Sequence, residues 1–187
     1  MNFWLRAATR IDSLTDRAGS LMMWCTLAMV GLGAFNSLAR YASRFESLNL
    51  SSNVFIELQW YLFSIVFLLG GAYGLKHQVH VRVDVVYGSY SARAKAWIDL
   101  FGTVLFLLPF CLLMLWVTWP SVASSWSVWE QSPDPDGLPR YPIKTVVLLA
   151  FFLLILQAVS EIVKQVAILK DALPKEEGHI TSASEVL

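Results

Sequence analysis

Four long stretches of this chain carry no charge, and they constrain its fold more than any other feature. Residues 18–39 lie uncharged between Arg17 and Arg40, 58–75 between Glu57 and Lys76, 100–129 between Asp99 and Glu130, and 145–160 between Lys144 and Glu161. Crossing a hydrocarbon core of ~30 Å takes about 20 helical residues, within a range of ~17–25. Each stretch reaches that length once its half-polar flanks are included. Water is absent from that core, so each segment must pair its own N–H and C=O groups, which forces helix. The expected architecture is an all-α integral membrane protein with spans near 18–39, 53–75, 97–119 and 143–165. These spans make a four-helix membrane domain over 18–170, with an N-terminal arm at 1–17 and a polar tail at 171–187.

Composition narrows the function classes. The apolar share is 56% and the charged share 15%, against roughly 45–50% and 25% for a soluble domain. Fourteen Lys and Arg balance fourteen Asp and Glu, so no basic field exists to hold nucleic acid. Cys25 and Cys111 sit inside apolar runs, where a thiol behaves as a small hydrophobe and forms neither a disulfide framework nor a zinc spacing. A secretory signal also begins with basic residues and an apolar run, and Ser37-Leu38-Ala39 resembles a cleavage site. Signal cores are about 7–15 residues long, whereas 18–39 is longer, so a retained first helix is expected.

Orientation follows from the cations. Arg6, Arg10, Arg17, Lys76, Arg82, Arg93, Lys95, Lys164, Lys170 and Lys175 fall on one side of the spans. Arg40, Arg44, Arg140 and Lys144 fall on the other. The positive-inside rule then puts both termini and the 76–96 loop in the cytoplasm. Trp and Tyr gather near the span boundaries, as an interfacial belt requires.

Chemistry within the spans is sparse. Glu57 lies about one turn inside the second helix, on one face with Tyr61 and Ser64, while Gln59 points elsewhere. An acid at that depth is costly unless paired or wetted. Its candidate partners are Arg40 or Arg44 at headgroup level, or a neighbouring helix or subunit. Gly70 and Gly74, like Gly33 and Ser37, have the spacing that lets helix backbones approach closely. Pro109 is expected to kink the third helix or remove one of its backbone bonds. Bis-histidine haem ligation needs His inside the helices, and His77, His80 and His179 lie outside the expected spans.

The loops are more distinctive. Residues 78–85, Gln-Val-His-Val-Arg-Val-Asp-Val, alternate strictly, which predicts a cytoplasmic extended segment between helices two and three. Ser91 is placed to cap the helix leading into the third span, and Arg93 and Lys95 suit lipid headgroups. The outer stretch 120–141 holds Trp126, Trp129, Asp134, Asp136 and Arg140 among several prolines. A stiff, exposed loop of that kind suits docking on the periplasmic side.

Three segments in this order resemble one family: Glu57-Leu-Gln-Trp-Tyr-Leu-Phe, His80-Val-Arg-Val-Asp-Val, and Ala96-Trp-Ile-Asp-Leu. Together with the Pro-rich stretch ending in Leu138-Pro-Arg-Tyr-Pro-Ile-Lys144, they resemble the small membrane subunit of tripartite TRAP transporters, the DctQ-like proteins. The resemblance implies a multi-pass protein of the bacterial inner membrane. Its partners would be a large multi-span permease subunit and a periplasmic solute-binding protein, within a lipid bilayer. It also implies no cofactor in this chain, since sodium and organic-anion sites would belong to the large subunit. Candidate subunit-interface residues are Glu57, Gln59, Trp60, Tyr61, Gly70, Gly74, His80, Arg82 and Asp84. An enzyme is not expected, because no nucleophile–base pair and no metal-ligand cluster is apparent. Two other readings remain open: a stand-alone four-helix transporter using Glu57, and a membrane anchor for another complex.

Overall fold

The computed structural model describes residues 2–43, 52–79 and 90–170. Four helices run through them: α1 (Asn2–Ala42), α2 (Asn53–Lys76), α3 (Ala92–Ser127) and α4 (Tyr141–Leu169). Each contains one expected span and is long and apolar enough to cross a membrane. No strand occurs among the described residues. Most of the alternating segment 78–85 and the tail 171–187 lie outside them. Gln78 is described, and it is not extended: it takes a left-handed conformation (φ 51°) and donates its N–H to Leu75 O.

Local chemistry accounts for the helix boundaries. Ser52 caps α2 by accepting from the Val54 N–H, and Ser91 caps α3 by accepting from the Ala94 N–H, each at 3.3 Å. Such caps satisfy donors that a helix start leaves without partners. The residues expected as an N-terminal arm form the first turns of α1. At 1.5 Å per residue α1 is about 60 Å long, roughly twice the thickness of a hydrocarbon core.

Proline shapes α3. The Leu108 N–H donates to Thr103 O, five residues back, through one π turn at Thr103–Leu107. Pro109 follows immediately, so the widened turn accommodates its ring and its missing donor. Pro120 is carried inside the helix, which continues to Ser127. The loop expected from residue 120 therefore begins at 128, because a single lost hydrogen bond does not end a helix held by packing and apolar surroundings.

The helices alternate in direction. The start of α1 meets the ends of α2 and α4, through Asp16 with Lys76 and Asp12 with Lys164. We call this the proximal end. At the distal end the start of α2 meets the α3–α4 connection. The central helix is α4: it packs on α1, α2 and α3, while α1 and α2 also pack on each other. Its buried small residues Ala150, Ala158, Ser160 and Ala167 permit close approach. Gly19 and Gly33 do the same on α1, lying under Tyr73 and Gln59 of α2. Outward positions are strongly apolar; Phe106 and Trp116 are 75% and 76% exposed. That surface is unfavourable in water and suited to hydrocarbon.

Candidate functional site

The distal end is organised by one carboxylate. Glu57 is only 2% exposed although it lies in the second turn of α2. Ser132 Oγ donates to its Oε1, and the Leu138 backbone N–H donates to its Oε2. One turn on, Tyr61 Oη donates to Pro139 O at 3.1 Å and approaches Leu138 O at 3.3 Å. Asn53 Nδ2 donates to Pro135 O at 3.2 Å. The polar face of α2 thus grips the 128–140 connection mainly by its backbone, which prolines leave short of internal partners.

The connection also folds on itself. Ser132 Oγ accepts from the Asp134 N–H at 3.2 Å, and Asp134 O accepts from the Gly137 N–H at 3.1 Å. Gly137 has no room for a side chain: a Cβ there would overlap Ser132 and sit 2.9 Å from Glu57 Oε2. A second carboxylate closes the base of the loop. Glu130 Oε2 accepts from Ser125 Oγ at 2.6 Å and from Lys144 Nζ, joining the end of α3 to the start of α4. The Lys144 hydrogen bond, then that from Ser125, holds the Glu130 carboxyl below the usual carboxylate range against the opposing effect of burial. The charge of Arg140 acts on both carboxylates, and its backbone N–H donates to Glu130 O at 2.8 Å.

The expected docking residues divide accordingly. Trp126 lies on α3 rather than in the loop, with its indole N–H donating to Thr145 Oγ1 at 2.8 Å. Trp129, in a left-handed conformation (φ 48°), packs edge-on with Trp126 and Tyr141. Asp134 and Asp136 are exposed at the loop surface, and Arg140 is half-buried at the start of α4.

The expected interface residues of α2 face mostly inward. The carboxylate oxygens of Glu57 meet the 128–140 connection, a partner not among those considered from sequence; Arg44 lies outside the described residues. Tyr61 is buried beside Glu57, and Gln59 lies against Gly33 of α1. Gly74 is buried, while a Cβ at Gly70 would meet only Met22 of α1, at 3.9 Å. Trp60 does point outward, stacked edge-on against Tyr61 and continuing a stripe of Ile56, Phe63 and Phe67. His80, Arg82 and Asp84 lie outside the described residues.

The proximal end holds a polar network that the sequence reading did not single out. Thr15 Oγ1 donates to Gln157 Oε1 at 2.7 Å, and Gln157 Nε2 donates to Asp12 Oδ1 at 3.0 Å and Glu161 Oε1 at 3.2 Å. Ser160 Oγ donates to Asp12 Oδ1 at 2.9 Å, while Lys164 Nζ lies 2.8 Å from both Asp12 Oδ2 and Glu161 Oε1. Lys76 adds α2 by donating to Asp12 O at 3.1 Å and pairing with Asp16. The available signal was spacing: Gln157, Ser160, Glu161 and Lys164 recur at i, i+3, i+4 and i+7, a single helix face.

Both ends therefore use buried polar groups to join elements of this chain. Residues 29–167 match the family model of the DctQ component of tripartite ATP-independent periplasmic transporters. The chain belongs to the DctQ family. It is a small membrane subunit of a TRAP transporter, a multi-pass membrane protein and a transporter component. The matched region contains the whole Glu57 latch and the α4 half of the proximal network, but not Asp12 or Thr15. No curated protein and no solved structure matches the chain.

Proposed function

We propose that this DctQ chain is the scaffold subunit of a sodium-coupled, binding-protein-dependent importer of organic acid anions in the bacterial inner membrane. It packs on the large permease subunit, which carries the ion and substrate sites, while both of its termini lie in the cytoplasm. The observation that carries this reading is the use of Glu57. Its two oxygens accept from Ser132 and Leu138 of the same chain, which suits a structural latch better than a coupling-ion ligand.

On this reading the latched 128–140 loop is periplasmic. It presents Asp134 and Asp136 on a shaped support beside the docking position of the solute-binding protein. The outward stripe of Ile56, Trp60, Phe63 and Phe67 offers the large subunit an apolar surface, with Glu57 and Tyr61 bracing it from inside. A stand-alone transporter would require Glu57 to exchange its loop contacts for an ion during turnover.

Mild-detergent purification of the tagged chain from its native membrane tests the proposal. A stoichiometric multi-span permease subunit should accompany it. A chain recovered alone, and transporting in reconstituted vesicles until Glu57→Gln is introduced, would reverse the assignment.

A further inference from the structure

The first turns of α1 carry a surface that neither the latch nor the proximal network uses. Ala8, Asp12 and Thr15 face α4, through hydrogen bonds from Ser160, Gln157 and Thr15 and the Lys164 ion pair. At about 100° per residue, Arg6, Arg10 and Arg17 fall within roughly 40° of one another on the opposite side of the helix. All three are exposed, and none has a hydrogen-bond or ion-pair partner among the described residues. The lysines of the packed side behave differently: Lys76 and Lys164 are both paired. Phe3 and Leu14 flank the arginine stripe, and Phe3 is 73% exposed. Arginine with adjoining aromatic and aliphatic groups is the composition of a protein interface rather than of a solvated face.

Height decides between a lipid and a protein occupant. The uncharged run of α1 begins at residue 18, so the stripe stands beyond the hydrocarbon core. Arg6 and Arg17 are about 17 Å apart along the axis, or roughly 13 Å in height even at a 40° tilt. A headgroup layer only ~5–8 Å deep meets Arg17 but not all three. An element of a neighbouring chain standing alongside α1 meets the whole stripe.

We propose that the Arg6, Arg10 and Arg17 stripe of α1, with Phe3 and Leu14 beside it, docks on an acidic face of the large membrane subunit outside the bilayer. The proposal rests on the scaffold-subunit reading and adds to it a site and a chemistry.

The test uses the full chain co-expressed with that subunit. Arg17 stays unchanged because it borders the span and bears on topology. Arg6→Glu with Arg10→Glu should lower recovery of the large subunit by roughly tenfold at low salt, through lost attraction and new repulsion. Arg6→Lys with Arg10→Lys should restore most of it. Ser13 is exposed on the same face, whereas Cys25 and Cys111 are buried. A photoactivatable thiol reagent on Ser13→Cys should therefore cross-link to an acidic segment of the large subunit. Undiminished recovery with the reversed charges would overturn the stripe while leaving the scaffold reading intact. Cross-linking to lipid alone, or to residues 171–187 of the same chain, would overturn it equally. A wild-type chain that recovers no large subunit would remove both proposals together.

Discussion

The two ends of this molecule solve the same problem with different chemistry. At the proximal end, Asp12 and Thr15 of α1 bond side chain to side chain with Gln157, Ser160 and Lys164 of α4, and Glu161 steadies Gln157 and Lys164 from within α4. At the distal end, Glu57 and Tyr61 bond largely to the backbone of a proline-punctuated connection. Helices have already satisfied most of their backbone internally, so side chains set their mutual register, with Ser160 and Lys76 adding bonds to the Ala8 and Asp12 carbonyls. A connection with several prolines has open carbonyls and few internal donors, so its backbone becomes the target. The difference predicts that damage at the proximal end spreads through the bundle, whereas damage at the distal end stays local.

The largest effect is expected from Asp12→Ala. It leaves the Lys164 ammonium with Glu161 alone and strips acceptors from Gln157 and Ser160. The expected loss is about 2–3 kcal/mol, less than for a fully dry ion pair because Lys164 retains some exposure. Thermal unfolding in detergent reads it, and Asp12→Ala combined with Lys164→Met should recover part of the loss. Full additivity of the two substitutions would break the view of the network as one unit.

A smaller effect separates two glycines of the helix interfaces. A Cβ at Gly19 would lie 2.5 Å from the Tyr73 ring, while one at Gly70 would find Met22 at an ordinary 3.9 Å. Gly19→Ala should cost about 1–2 kcal/mol by overpacking. Gly70→Ala should be near neutral in the same assay, and the opposite ranking would show that α1 and α2 approach elsewhere.

Glu57→Ala tests whether the distal end is local. The Leu138 amide and Ser132 lose their acceptor, so hydrogen exchange at Leu138 and proteolysis within 128–140 should accelerate. Unfolding of the four helices should move less than for Asp12→Ala. A larger global loss than at Asp12 would abolish the proposed contrast.

The smallest expected effect is that of acid on Glu130. Its folded carboxyl titrates below its unfolded value, so its stabilising contribution is complete above the unfolded pKa, about 4.3. The contribution fades as pH falls through the lower folded value. Tryptophan fluorescence from the Trp126–Trp129–Tyr141 cluster should change in that acid range, and Glu130→Gln should remove the transition. An unaltered transition in that variant would assign it to another group.

Much of this was legible in the sequence. Ser91 caps α3 as its position predicts, each expected span lies within one observed helix, and the ordered segments around Glu57, His80 and Ala96 pointed to the family that the match over residues 29–167 supports. The candidate site was less legible. Glu57 stood out as a costly acid, but Ser132 and Leu138 did not, because they lie 75 and 81 residues away and one contributes only its backbone. The loop was expected from residue 120 because a span of ordinary length ends near 119, whereas the helix continues through Pro120 to Ser127.

Sequence by itself determined the four apolar spans and the need for helix, since uncharged length and the absence of water leave no other way to pair a backbone. It also determined the family. Tertiary structure alone decided what the buried polar groups do: that Glu57 latches a loop, that Asp12 meets Lys164, and that three arginines remain turned away. The reason is physical. Hydrophobic length acts within one segment, but a buried hydrogen bond exists only when two distant segments reach within about 3 Å, and that meeting is a property of packing.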